Sequence, residues 1–270
     1  MREVLVAAAL TGLATGVGAF PFFFVRKLPR RAYDGILGLG AGLMLAAATL
    51  GLLSEALEGV RGAHGIDMAR LTRVVAGFVT GVAIAALMDR FIPHSHARGH
   101  RQHISHEGHT HAAHEQGGHT PEDELRRTYV VIGALSIHRI PEGIAIGAGF
   151  VTSSDRRLGL LLAAAVALQN VCEGVVMGAP LRASGLSPLR GLLVVALSGS
   201  AVPLGALLGH TLSSAATALP FVLALAGGTL IYVTSNEIIP ESHSHGNEAT
   251  ASAGVVSGFL LTMLLDALLG

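Results

Sequence analysis

Two short clusters of polar residues interrupt long apolar stretches of the sequence. His138 and Glu142 belong to the first cluster and Gln169 and Glu173 to the second, and the members of each pair stand four positions apart. Residues four apart lie on the same face of an α-helix. Two facing helices would therefore present one imidazole nitrogen, two carboxylates and one amide oxygen around a single point. This ligand set suits Zn²⁺, Fe²⁺, Mn²⁺ or Cd²⁺, and it lacks the thiolate that would hold a soft metal permanently.

The elements that carry these clusters are too apolar for a water-soluble protein. Of the 270 residues, 51% are hydrophobic and 13% are charged, whereas soluble domains carry about 25% charged residues. The sequence predicts an all-α polytopic membrane protein, because eight stretches approach the roughly 20 residues that cross a bilayer. This excludes a soluble globular enzyme and a disordered chain. We place the eight spans near 4–25, 35–57, 71–92, 128–151, 158–181, 189–209, 219–240 and 251–269.

Both clusters fall near the middle of a predicted span, where ionisable side chains are costly. An ionisable residue at a helix centre costs about 2.5–3.5 kcal/mol on insertion, so it is a functional candidate by default. The alternative is a buried polar network that only fixes helix packing. The formal net charge is zero, which gives no indication of a nucleic-acid partner, and the single cysteine, Cys172, excludes a disulfide framework.

Basic residues in the loops predict the orientation of the chain. With both termini outside the cytoplasm, eleven Lys and Arg residues lie in the inner loops and six in the outer loops. The positive-inside rule therefore favours extracytoplasmic termini. With no organellar targeting segment in view, we expect a multi-pass protein of a bacterial inner membrane.

A histidine-rich tract separates two membrane parts of the chain. We predict transmembrane helices 1–3 over 1–93, a disordered cytoplasmic loop over 94–127 and transmembrane helices 4–8 over 128–270, all within one membrane domain. Histidines at short spacing bind zinc-like metals weakly, although a solvated polar linker would have the same composition. His243 and His245 fall on the same predicted side. The tract holds nine histidines: His94, His96, His100, His103, His106, His109, His111, His114 and His119.

The two intramembrane motifs resemble those of the ZIP (ZRT/IRT-like) family of divalent metal transporters, in its bacterial GufA-like branch. HxxPEG at 138–143, QNxxEG at 169–174 and the preceding histidine tract carry the resemblance. Gly12–Pro21, Ala41–Ala46 and Tyr232–Glu241 extend it to other spans. The resemblance implies eight helices, with helices 1–3 and 6–8 forming an inverted repeat around helices 4 and 5. It also implies import of divalent metal into the cytoplasm, and it suggests a homodimer.

Carried over by position, the resemblance assigns the transport site to His138, Glu142, Gln169 and Glu173. A second family site does not carry over. Arg139 stands where Asn or Asp is common, and Val202 stands where Glu is common, which leaves Asn170 without a carboxylate. Our hypothesis is that the Arg139 guanidinium takes the place of a second metal and neutralises Glu142, Glu173 or Glu237.

The seventh span supplies further candidates on the metal path. Asn236 and Glu237 stand where the family often has His-Glu, and we expect Glu237 to line the path. We expect Glu241, His243 and His245 to form a relay at the inner side.

Three functions compete with import. An intramembrane metallohydrolase would require three firm ligands and a general base, often as HExxH, which is absent from this sequence. A metal exporter of another fold would also carry histidine-rich cytoplasmic loops, and a membrane metal sensor would use such a loop to signal to a partner. We expect no enzymatic activity and no prosthetic group, with Zn²⁺ or a similar divalent ion as the transported ligand.

Overall fold

The computed structural model describes residues 1–25, 28–62, 65–91, 136, 139–151, 156–183, 185–215 and 217–269. Nearly all of this part of the chain is helical, in agreement with the predicted all-α class. The α-helices are α1 (Arg2–Ala19), α2 (Arg30–Ala46), α3 (Ser54–Leu57), α4 (Met68–Phe91), α5 (139–151), α6 (Arg157–Ala183), α7 (Pro188–Ser198), α8 (Ala201–Ser213), α9 (Leu219–Val233), α10 (Ile239–Ser242) and α11 (Glu248–Leu269).

Seven segments among the described residues are long and apolar enough to cross a bilayer. Each agrees within five residues with a predicted span, which confirms the all-α polytopic class. The remaining predicted span, 128–151, is described only at 136 and over 139–151, where it is helical. The total of eight spans therefore stays a prediction. The predicted histidine-rich loop, 94–127, lies outside the described residues.

The second span begins earlier than the sequence suggests. Its helix starts at Arg30, whereas the hydropathy pattern places the start near residue 35. The earlier start puts Asp34 one turn inside the helix, where the side chain is fully buried. A hydropathy window trims charged residues from a span, so it cannot detect a carboxylate that is paired inside the protein.

Glycine allows neighbouring helices to touch through their backbones. Gly18 of α1 faces Gly174 of α6, and a Cβ added at Gly174 would lie 2.0 Å from the Thr15 carbonyl oxygen. Equally close contacts join α1 to the α7–α8 junction, α5 to α8, α2 to α11 and α4 to α9. Small residues at helix interfaces are typical of membrane bundles. The backbone contacts place α5 and α6, which carry the polar clusters, against α8 and α1.

The second and seventh spans both contain a π-helical segment in their C-terminal half. Ala47–Leu53 joins α2 to α3, and Thr234–Ile238 joins α9 to α10. The two spans meet where the Thr234 hydroxyl lies 2.8 Å from the Met44 sulfur. π-Segments interrupt the regular hydrogen-bond ladder and are frequent at functional sites.

The remaining short elements lie at the ends of spans. A 3₁₀ turn, Phe20–Phe23, extends α1. After α3, strand β1 (Arg61–Gly62) pairs antiparallel with β2 (Gly65–Ile66), with Arg61 opposite Ile66. This small hairpin connects the second span to α4.

Candidate metal site

Helices α5 and α6 bring three of the four predicted site residues together. The Gln169 amide nitrogen donates to Glu142 Oε1 at 3.0 Å and to Glu173 Oε1 at 2.9 Å. Glu142 and Gln169 are each 1% exposed, so the group lies deep in the bundle. His138, the fourth predicted residue, lies outside the described residues. The Gln169 amide thus bridges the Glu142 and Glu173 carboxylates. The helical spacing predicts that these two carboxylates face one point.

Arg139 forms an ion pair with Glu173 inside the protein. Its Nη2 lies 2.8 Å from Glu173 Oε2, and its Nη1 donates to Asn170 Oδ1 at 2.9 Å and to Thr15 Oγ1 at 2.6 Å. The guanidinium is fully buried, whereas the Glu173 side chain is 16% exposed. Of the three carboxylates expected as partners for Arg139, the structure pairs it with Glu173.

A polar network continues from this ion pair into α1. The Asn170 amide donates to the Thr11 carbonyl oxygen at 3.0 Å, and the Thr11 hydroxyl donates to the Ala163 carbonyl oxygen at 3.2 Å. Thr11 and Thr15 do not stand out in the sequence, because threonine is common on the packed faces of membrane helices. Thr11 and Thr15 are four positions apart, so the sequence does indicate that both hydroxyls lie on one face of α1. The network fixes α1, α5 and α6 to one another.

The oxygen atoms of the cluster suit a divalent cation. Glu142 Oε2 is buried and has no hydrogen-bond partner among the described residues. With both carboxylates ionised, Glu142 and Glu173 carry one negative charge more than Arg139 balances. Three converging His, Cys, Asp or Glu side chains occur nowhere in the described part of the chain, which omits His138. A metal bound between the carboxylates would displace the bridging N–H groups, and Gln169 would have to rotate to present its amide oxygen.

Val202 lies in the core close to these helices. Its side chain is completely buried, and its carbonyl oxygen lies 2.2 Å from the position of a Cβ added at Gly143. The valine fills space through hydrocarbon and offers a metal no side-chain donor.

Asn236 and Glu237 lie on the π-segment of the seventh span. The Asn236 amide donates to Asp89 Oδ2 of α4 at 2.8 Å, and the Tyr232 hydroxyl lies 3.4 Å from the same oxygen. The Glu237 carboxylate interacts electrostatically with both Asp89 and Glu173. Negative charge therefore continues from the candidate site towards Asp89 near the end of α4. The sequence alone indicates no role for Asp89.

The loop between α10 and α11 is fastened to the start of α2. His245 Nδ1 lies 2.9 Å from Asp34 Oδ1, and the Asn247 amide donates to Asp34 Oδ2 at 2.9 Å. The Tyr33 ring meets the His245 ring edge-on. The sequence analysis missed this role of Asp34, because its partners lie more than 200 residues further along the chain.

The other predicted residues of the inner side are only partly brought together. His243 Nδ1 lies 2.9 Å from the Ile239 carbonyl oxygen, and its Nε2 lies 2.9 Å from the Ser252 hydroxyl. Glu241 is half-buried shortly before it in the chain and interacts electrostatically with Tyr33. The nine histidines of the 94–119 tract lie outside the described residues.

Comparison with known proteins gives consistent matches. A family model described as ZIP zinc transporter matches residues 93–266. The chain is 37% identical to the zinc transporter GufA of Myxococcus xanthus over the full length of both proteins. It is 38% identical to the zinc transporter ZIPB of Bordetella bronchiseptica, covering 95% of this chain and 78% of that protein.

A third relative has a lower identity but a similar coverage. The zinc transporter ZupT of Clostridium perfringens is 30% identical, covering 97% of this chain and 95% of that protein. The family model alone matches more than half of the chain, and all three relatives match nearly all of it. The chain belongs to the ZIP family.

Proposed function

We propose that the chain transports divalent metal, Zn²⁺ first, through a single intramembrane site on α5 and α6. The observation that carries the proposal is the pair of carboxylates, Glu142 and Glu173, bridged by one amide deep in the bundle. Such a pair binds a divalent cation through oxygen atoms and releases it again when its surroundings change. His138, four positions before Glu142 in the sequence, would add the imidazole that favours zinc over harder ions.

Arg139 would stand in for a second metal. Its guanidinium contacts both Glu173 and Asn170, and Asn170 is the residue that the resemblance leaves for a second site. Val202, on the sixth span, leaves that side without a further carboxylate. A fixed cation at this position removes the electrostatic reason for a second divalent ion to bind. The proposal is therefore one transported ion per chain, with Fe²⁺, Mn²⁺ and Cd²⁺ as competing substrates.

A path from the site would lead to the cytoplasm along the seventh span. Glu237 supports this direction, because its charge interacts with Glu173 at one end and with Asp89 at the other. Asn236 and Glu241 would line the same path. His243, His245 and the histidine tract would receive the ion at its inner end. His243 and His245 already make hydrogen bonds within the protein, so they would bind metal only after local rearrangement.

The proposed architecture has eight spans in a 3+2+3 arrangement. Two features support an inverted repeat. First, π-segments interrupt both the second and the seventh span. Second, α2 of the second span packs against α11, and α9 of the seventh span packs in the same way against α4. With the excess of basic residues inside, both termini would be extracytoplasmic in a bacterial inner membrane. A homodimer and the division into 1–93, 94–127 and 128–270 belong to the same proposal.

Import is favoured over the competing functions. The family consists of transporters rather than enzymes, which sets aside the intramembrane metallohydrolase. A sensor would bind metal without moving it across the membrane, so flux distinguishes it from a transporter.

Uptake of ⁶⁵Zn²⁺ into liposomes that contain the purified full-length chain tests the proposal. We expect saturable uptake above that of protein-free liposomes, reduced by unlabelled Zn²⁺ and less strongly by Fe²⁺, Mn²⁺ or Cd²⁺. Calcium is the control ion, because it prefers six to eight oxygen ligands and should compete poorly. Zinc that binds to the protein without entering the liposomes would assign the chain to metal sensing and contradict transport.

A further inference from the structure

A groove runs between α2 and α11 at the membrane face where both helices begin. It is shallow and open, with a volume of about 540 Å³. Gly35 and Leu39 of α2 and Gly254 and Ser257 of α11 line its walls. A Cβ added at Gly254 would lie 2.4 Å from the Gly35 carbonyl oxygen, so the two helices touch through their backbones here.

Arg31 lies at the mouth of this groove. Its Nε donates to the Thr250 hydroxyl of α11 at 3.1 Å, which directs the guanidinium across the gap between the two helices. The Nη1 and Nη2 groups make no hydrogen bond to any described residue, and the side chain is exposed. Arg30 precedes it and is also exposed. Glu248, the first residue of α11, is not among the lining residues.

We propose that this groove binds an anionic phospholipid. The positive mouth and the apolar walls complement the two parts of such a molecule, a phosphate headgroup and an acyl chain. The free Nη groups of Arg31 can hold two phosphate oxygens in a forked geometry. Arginine residues near the membrane surface attract anionic lipids by about 1 kcal/mol each. The position of Arg31 also suits a lipid headgroup, because Arg31 lies in the first turn of a membrane-spanning helix. The groove extends from Arg31 along that helix.

The test measures lipid binding to the purified full-length chain by native mass spectrometry. The probes are dioleoyl phosphatidylglycerol and dioleoyl phosphatidylcholine, which differ in headgroup charge but have the same acyl chains. We expect the anionic lipid to bind about fivefold more tightly, the equivalent of the single-arginine attraction. Arg31→Gln should abolish this preference. Ser257→Phe, which places a ring in the groove, should weaken the binding of both lipids.

Arg190→Gln is the matched control. Arg190 is exposed at the start of α7, and α7 runs antiparallel to α1. Arg190 therefore lies on the same membrane face as Arg31, but it does not line the groove. The control should keep the full preference for phosphatidylglycerol. Elution from a size-exclusion column in detergent should be the same for all variants.

Four results would overturn the assignment to a phospholipid. The preference could survive in Arg31→Gln, or it could fall equally in Arg190→Gln, which would reduce it to general surface charge. Inorganic phosphate could displace the anionic lipid from the Arg31 side chain while Ser257→Phe has no effect on lipid binding. Arg31 would then bind anions in general, and the groove would not bind an acyl chain. Finally, Ser257→Phe could dissociate a dimer and leave lipid binding unchanged, which would assign the groove to a second copy of the chain.

Discussion

Glu142→Gln should reduce zinc uptake at least about 100-fold. Even residues that only support a metal ligand cost about 10–100-fold in affinity when they are replaced, and Glu142 is proposed as a ligand itself. The fold should survive, because the amide oxygen of the new side chain can still accept the hydrogen bond from Gln169. The measurement is the initial rate of ⁶⁵Zn²⁺ uptake into liposomes that contain equal amounts of each protein.

Glu248→Gln is the control for this substitution. It makes the same chemical change at an exposed position at the start of α11, far from the carboxylate pair. Its uptake should equal that of the wild type. Uptake by Glu142→Gln within about threefold of the wild type would contradict a ligand role for Glu142, because the loss of a ligand costs more than the loss of a supporting residue.

Gly174→Ala should strongly destabilise the helix bundle. The new Cβ would lie 2.0 Å from the Thr15 carbonyl oxygen and 3.0 Å from the Gly18 Cα, and neither backbone atom can move aside by a rotamer change. Overpacking costs about 1–3 kcal/mol, and a clash with backbone lies at the upper end of that range. For a chain of this size about 3 kcal/mol corresponds to a fall in melting temperature of about 6–12 °C. Thermal unfolding in detergent measures the effect.

Gly191→Ala provides the comparison within the same chain. Gly191 also lies in a helix, but a Cβ there would be 3.9 Å from the Leu181 Cβ, an ordinary contact. Alanine has the higher helix propensity, so the melting temperature should stay level or rise slightly. Equal melting temperatures for the two variants would contradict the close α1–α6 contact. The contact also positions the site, since Thr15 and Gly174 flank the Arg139 network.

The spans could be predicted from the sequence because each depends on a local property. A run of about 20 apolar residues is long enough to cross the bilayer, and this property is contained in the run itself. The spacing of Gln169 and Glu173 likewise fixes one helical face, and the structure brings these two side chains together. Local periodicity could not reveal which carboxylate Arg139 pairs with. That choice depends on how α5 and α6 face each other in the folded bundle.

The contacts that the sequence analysis missed involve partners distant in the chain. Asp34 is a buried carboxylate that only the His245 and Asn247 side chains explain. Thr15 looks like an ordinary small residue of α1 until the Arg139 guanidinium reaches it. In both cases a polar residue is tolerated in a membrane because a specific partner satisfies it. Hydropathy averages over a window and therefore cannot identify such partners.

The most direct test of the central claim counts zinc ions at the intramembrane site. Zinc is measured by elemental analysis in the purified chain and in a blank that carries Glu142→Ala and Glu173→Ala. Subtracting the blank removes zinc held by the histidine tract. A second pair of proteins carries Arg139→Asn with and without the same two alanines. All four proteins must elute alike from a size-exclusion column.

We expect a difference of about one zinc ion for the wild-type pair and about two for the Arg139→Asn pair. An asparagine would restore a neutral oxygen donor and remove the cation that keeps a second divalent ion away. A difference of about two in the wild type, or of about one in the Arg139→Asn pair, would contradict the proposal that the guanidinium occupies the place of a second metal.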